Sequence, residues 1–218
     1  AFSSVAVVTN SLLLKGFHSE RKNWLSDIAP YVMAIGFTAL FFGFAKISSE
    51  GPAVNPDPNH THADFAVFLN GEKLDFSEEK FMSTDVNPKH PYTHVHDGNG
   101  NVMHRHKPEI SIGEFFHSIS FEMKENCFAL HTDTHVCNDM DKKWQMFVNG
   151  QEQPFNPNYV FNDLDQILLT YGSSSAEIKK QMKQITDEAC RYSQTCPERG
   201  TPPKENCVSD PTVPCVAS

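Results

Sequence analysis

Residues 63–76 read ADFAVFLNGEKLDF, two apolar runs on either side of Asn70-Gly71. Both central residues of a type I′ turn need positive φ, so an Asn-Gly pair between strand-like runs marks a β-hairpin. Residues 144–155, WQMFVNGQEQPF, have the same form around Asn149-Gly150. Phe65 then corresponds to Trp144, Val67 to Met146, Phe68 to Phe147, Leu69 to Val148 and Phe76 to Phe155. Either the hairpin is duplicated, or two hairpins met the same turn requirement independently. Both readings fit.

Outward from these hairpins, YTHVHDGNGNVMHRH (92–106) reads as another hairpin across a Gly/Asn turn. ISIGEFFHSI (110–119) reads as a short helix after Pro108. CFALHTDTHVC (127–137) is a strand or loop held at its ends by cysteines, and DLDQILLTYG (163–172) is an apolar strand stopped by glycine. SSSAEIKKQMKQITDEACRY (173–192) reads as one amphipathic helix. Ser174 and Glu177 form its capping box, and Ile178, Met182, Ile185 and Ala189 form its apolar face. Hairpins with one crossing helix predict an α+β domain, mostly antiparallel and β-grasp-like.

The N-terminal part has a different character. Ile28–Ala45 reads IAPYVMAIGFTALFFGFA, 18 residues without a charge, close to the shortest length that spans hydrocarbon. Trp24 and Tyr31 suit an aromatic belt. Lys15, His18, Arg21 and Lys22 precede the run and only Lys46 follows closely. The positive-inside rule then puts the N-terminal flank in the cytoplasm and the rest outside. The expected organisation is a flank at 1–24 and a single-pass transmembrane helix at 25–47. A Pro/Asn linker at 48–59, a histidine-rich domain at 60–172 and a helix with a cysteine-rich tail at 173–218 follow. A buried core helix and a cleavable signal peptide are the competing readings of the apolar run.

Ser3-Ser4-Val5, Val7-Val8 and Asn10-Ser11-Leu12 resemble the end of the last core transmembrane helix of heavy-metal-transporting P-type ATPases. The resemblance covers residues 1–17 and implies fusion to, or work beside, such a pump. The phosphorylation and nucleotide-binding parts of that family are absent from these residues.

The chain carries a formal charge of −9. From His60 onward it holds 14 Lys+Arg and 23 Asp+Glu, so this part carries all of it. An acidic surface disfavours nucleic acid as a partner. It suits cations, and ten of the 11 histidines lie there.

Three His-x-His pairs stand out: His60/His62, His94/His96 and His104/His106. Strand periodicity puts both imidazoles of a pair on one face, where they can bind one Cu or Zn ion. A three-residue loop at Gly98–Gly100 aligns His94 with His104; a loop of two or four residues puts the pairs on opposite faces. Asp97, Asp64, Met82 and Met103 are accessory ligand candidates, the methionines favouring Cu(I). His131 and His135 form a further pair, while His18, His90 and His117 have no partner pattern. A pH sensor is one alternative use of clustered histidines. A zinc-dependent hydrolase or lyase is another, with Glu109, Glu114 or Asp97 as acid or base, although no HExxH-type motif supports it.

The stretch from His62 through HxHDGxGxVxHxH to Phe116 also resembles a family of prokaryotic outward-facing His-rich domains with a Cys-bearing second half, over roughly residues 60–215. That resemblance implies a folded unit and no particular reaction.

All six cysteines lie C-terminal to the apolar run, and an even count outside the cytoplasm predicts disulfides. Cys127 pairs with Cys137 in this reading. Cys190, Cys196, Cys207 and Cys215 pair among themselves in one of three ways. No C-x2-C spacing supports thiolate metal ligation or disulfide exchange, the structural and redox alternatives.

Overall fold

The computed structural model describes residues 28–38, 40, 54–84, 86–130 and 134–202. The chain divides into two compact units, Ala1–Gly51 and Pro52–Ser218.

In the second unit the strands run in chain order as β1 (Thr61–Leu69), β2 (Glu72–Lys73), β3 (Thr93–His94), β4 (Val102–Arg105), β5 (Glu122–Met123), β6 (Cys127–Leu130), β7 (Thr134–Cys137), β8 (Trp144–Val148), β9 (Gln151–Gln153) and β10 (Gln166–Tyr171). The helices of this unit are α1 (Ile112–Ser118), α2 (Ser175–Met182) and α3 (Ala189–Tyr192). The α+β expectation, with mostly antiparallel pairing and few helices, therefore holds.

The larger sheet has the order β3-β4-β1-β10-β8-β9. Its central pair, β1 and β10, is parallel, with Asp64 opposite Gln166 and Leu69 opposite Tyr171. Every other pairing is antiparallel. The second edge of β1 is divided: β4 takes Thr61–Asp64 and β2 takes Phe68–Leu69. A smaller sheet has the order β5-β6-β7.

Both Asn-Gly hairpins form as read. Asn70 and Gly71 have φ of 50° and 91°, and Asn149 and Gly150 have 51° and 78°. Two successive left-handed residues twist the chain in the sense that the flanking strands require.

β1 is buried on both faces, as a central strand must be. Its odd-numbered residues Ala63, Phe65 and Val67 join Phe76, Phe115, Phe116, Phe121, Phe128 and Trp144 in an aromatic core. Here α1 crosses the sheet, with Phe115 edge-on to Phe65 at 5.2 Å. A capping box starts α1: Ser111 Oγ accepts from the Glu114 N–H, and the Glu114 carboxylate accepts from the Ser111 N–H. The even-numbered Ala66 and Phe68 face the other way, packing with Phe147, Leu168 and Ile178 of α2.

The single helix expected over residues 173–192 is two. The Ser174/Glu177 capping box starts α2 as read, but α2 ends at Met182 and α3 begins at Ala189. The cause is Asp64. Its carboxylate accepts from the Thr186 hydroxyl and from the Glu188 and Ala189 N–H groups. A carboxylate reaching from β1 thus caps the start of α3 and breaks the chain direction before it. Met182 and Ile185 still pack on the even face as the apolar periodicity predicts.

Residues 28–38 and 40 are helical, with Tyr31, Val32, Ile35, Phe37 and Leu40 exposed. Among the described residues no helix is long and apolar enough to cross a membrane. The rest of the span expected at 25–47 lies outside the described residues, as does all of 1–24.

Gly100, in the β3–β4 connection, sits against the Phe76 backbone. A Cβ there would lie 2.2 Å from the Phe76 carbonyl carbon. Gly100→Ala should destabilise the fold by roughly 3 kcal/mol, because backbone cannot yield as a side chain tip does. Gly150→Ala meets open space. It should cost only the left-handed backbone penalty of about 1 kcal/mol. Urea unfolding of both variants checks the order; equal costs would contradict it.

Candidate metal centre

The edge strands β3 and β4 and the start of β1 carry the histidines. His104 on β4 has His62 of β1 directly opposite on one side and His94 of β3 on the other. Directly opposed residues share a face, so these three imidazoles form a row across the sheet. Period two extends the row, adding His60, His106 and His96 to the same face.

The alignment of His94 with His104 is the one expected for a loop centred near residue 99, although the connection is built differently. The His96 carbonyl accepts from the Asn99 N–H, and Asp97 and Gly98 have φ of 56° and 69°. This tight turn sits one residue earlier than the loop read from sequence, and the parity that fixes the face is kept.

The six rings form a closed circuit. Successive centroids are 4.0 Å apart for His60 and His106, 4.8 Å for His106 and His94, and 5.5 Å for His94 and His96. They are 4.0 Å apart for His96 and His104, 4.7 Å for His104 and His62, and 4.4 Å for His62 and His60. Five of these residues are buried, and His60 is intermediate. His60, His104 and His106 each offer a ligand atom, all within 4.8 Å of one another, so this group could hold a metal ion.

Outer partners fix three of the rings. His94 Nδ1 lies 3.3 Å from the His90 carbonyl oxygen, and His96 Nδ1 lies 2.6 Å from Asp97 Oδ2. Carbonyl and carboxylate oxygens only accept, so each Nδ1 carries the proton of the neutral ring, whose Nε2 then presents a lone pair. His62 Nδ1 lies 2.7 Å from Ser193 Oγ, whose own proton goes to Asp163 Oδ1 at 2.5 Å. Ser193 can then only accept from His62, which fixes the same tautomer. Metal-binding histidines are held in this way, one nitrogen on an outer acceptor and the other on the ion.

α3 covers the imidazole face. The Tyr192 ring stands edge-on to His104 at 4.7 Å and lies 5.6 Å from His62. Asn99 Nδ2 donates to Glu188 Oε2 and to the Tyr192 hydroxyl oxygen, tying the β3–β4 turn to α3. The Cys190–Cys196 disulfide closes the segment just after Ala189. Burial pushes the Asp64 carboxyl above its ordinary range, and its three donors pull it back.

The other sequence expectations divide. Asp97 holds His96 from outside and is an orienting group. Asp64 lies on the histidine face but is committed to capping α3. Met82 and Met103 belong to the aromatic core on the opposite side, Met103 because a strand neighbour of His104 points the other way; they are not ligands of this cluster. Glu114 caps α1, and Glu109 is exposed at φ 71°. His135 is exposed on β7 of the smaller sheet, and His131 and His18 lie outside the described residues. His90 serves through its carbonyl, and its ring pKa is lowered by burial. Cys127 and Cys137 pair as read, Cys190 pairs with Cys196, and Cys207 and Cys215 lie outside the described residues. Tyr192, Ser193 and Asp163 were not anticipated. The one sequence signal for them was a cysteine-stapled segment that needs something to dock on.

Asp64→Ala should cost about 3 kcal/mol, since it orphans one hydroxyl and two backbone donors. It should also release α3, so limited proteolysis would cut near residues 183–192 before the β-sheet core. A variant as resistant as the parent would show that α3 docks without the carboxylate.

Comparison with protein-family models, with curated proteins and with solved structures returns no match for this chain.

Proposed function

We propose that the chain is a membrane-anchored, extracytoplasmic protein whose histidine domain binds a Cu or Zn ion. The observation that carries this reading is the set of outer partners on Nδ1 of His62, His94 and His96, with Nε2 of His94 and of His96 set against other rings of the cluster. Hydrogen bonding among neutral histidines alone gives no reason for three outward acceptors of this kind. A ligand sphere does.

The ligand chemistry is imidazole alone. With Met82 and Met103 turned into the core, the thioether argument for Cu(I) falls, and borderline Zn(II) or Cu(II) suits the donors best. Five buried ligand candidates under a docked helix favour holding an ion over turning over a substrate, because catalytic zinc keeps an open position.

The membrane anchor rests on the uncharged run at 28–45 and on the exposed apolar side chains of residues 28–40. The association with a heavy-metal pump rests on residues 1–17. An exporter releases ions outward, and an outer imidazole site would accept or buffer them. The β-grasp-like reading of the fold draws on the parallel β1/β10 centre, flanked by the two Asn-Gly hairpins and crossed by α1.

Metal analysis and thermal unfolding of the full chain test the reading. Zn²⁺ or Cu²⁺ at 100 times its Kd should add about 2.7 kcal/mol of stability. A chelator should remove that gain, and His104→Ala should reduce it. Failure of both ions to bind below millimolar concentrations at neutral pH would overturn the proposal.

A further inference from the structure

We infer that the histidine ring takes two divalent ions, one at His60, His94 and His106 and one at His62, His96 and His104. The inference rests on the metal-binding reading above and adds the number of ions and the division of ligands. It concerns ions that prefer imidazole nitrogen, Zn(II) and Cu(II) among them.

Two nitrogen contacts carry the division. His94 Nε2 lies 3.2 Å from His106 Nε2, and His96 Nε2 lies 3.2 Å from His104 Nδ1. Two nitrogens bound at 2.0–2.1 Å to one tetrahedral ion stand about 3.3 Å apart. Both contacts have that spacing, and they involve four different histidines. In each, one member is a nitrogen whose lone pair is fixed by an outer acceptor: His94 through the His90 carbonyl and His96 through Asp97.

The remaining two rings divide between the pairs. His60 lies 4.0 Å from His106 by ring centroid but 6.2 Å from His104. His62 lies 4.7 Å from His104. Between the pairs the rings lie farther apart, His94 at 6.0 Å and His106 at 6.4 Å from His104, and His94 at 5.5 Å from His96. A tetrahedral ion accepts four ligands, so one ion would leave two of these six rings without a metal. The competing arrangement is one ion on His60, His104 and His106, whose ligand atoms also approach one another.

Titration of the full chain with Co²⁺ and Zn²⁺, counted by native mass spectrometry, decides between them. Two ions per chain are expected. His94→Ala and His96→Ala should each lower the count to one, and exposed His135→Ala should leave it at two. Zero bound ions overturns the metal-binding reading and this inference together. One bound ion overturns this inference alone. A count of two that survives both ring variants, or that falls with His135→Ala, also overturns it. Should the ring variants fail to fold by circular dichroism, the unsubstituted protein still decides through its Co²⁺ absorption. The second equivalent should give intense tetrahedral bands like the first, and weak octahedral bands from it would reject a second imidazole site.

Discussion

Six imidazoles placed on one face of a sheet create a problem that the rest of the second unit is arranged to solve. Each ring has two nitrogens that need partners once water is excluded. An aliphatic cover over such a face would strand them. Instead the covering segment is polar where it meets the rings: Ser193 takes His62, Tyr192 lies edge-on to His104, and Asp97 and the His90 carbonyl hold their rings from the side. The aromatic core occupies the opposite face, so at the start of β1 the sheet separates an oily layer from an imidazole layer, and farther along the same even face becomes apolar at Ala66 and Phe68.

That separation depends on β1 lying where it does. Its edge toward β4 aligns His62 with His104, and its edge toward β10 provides the parallel centre of the sheet. Asp64 lies at the crossing of the two, opposite Val102 on one side and Gln166 on the other. From there its carboxylate fixes the start of α3 over the rings. One strand therefore supplies the register, a pair of histidines and the anchor for the cover.

Much of this was legible in the sequence, for a physical reason. His-x-His pairs, Asn-Gly turns and alternating apolar residues are local patterns, and strand periodicity translates them directly into faces. Whether the two hairpin pairs share a face depends on the connection, which the sequence leaves open, and the register of His94 opposite His104 settles it with a turn at Asp97-Gly98. The break between α2 and α3 was not legible, since residues 173–192 have continuous helical periodicity and the interrupting group lies 122 or more residues away in sequence. Tyr192 and Ser193 escaped for the same reason, the His62–Ser193 contact spanning 131 residues. Met103 misled because its place beside His104 looks like proximity, whereas on a strand adjacent residues face apart.

The six imidazoles are not equally fixed. His60 is the most exposed of the six rings, and α3 lies over the face that the others share. His60 stands just before β1, where Asn55 Nδ2 donates to its carbonyl oxygen and its N–H donates to the Asp57 carbonyl. Its backbone is thus held from residues 55–57 as well as by its place next to β1. On the metal-binding reading, His60 is the ligand least fixed by strand pairing, whereas His62, His104 and His94 are held in place by the register of three adjacent strands.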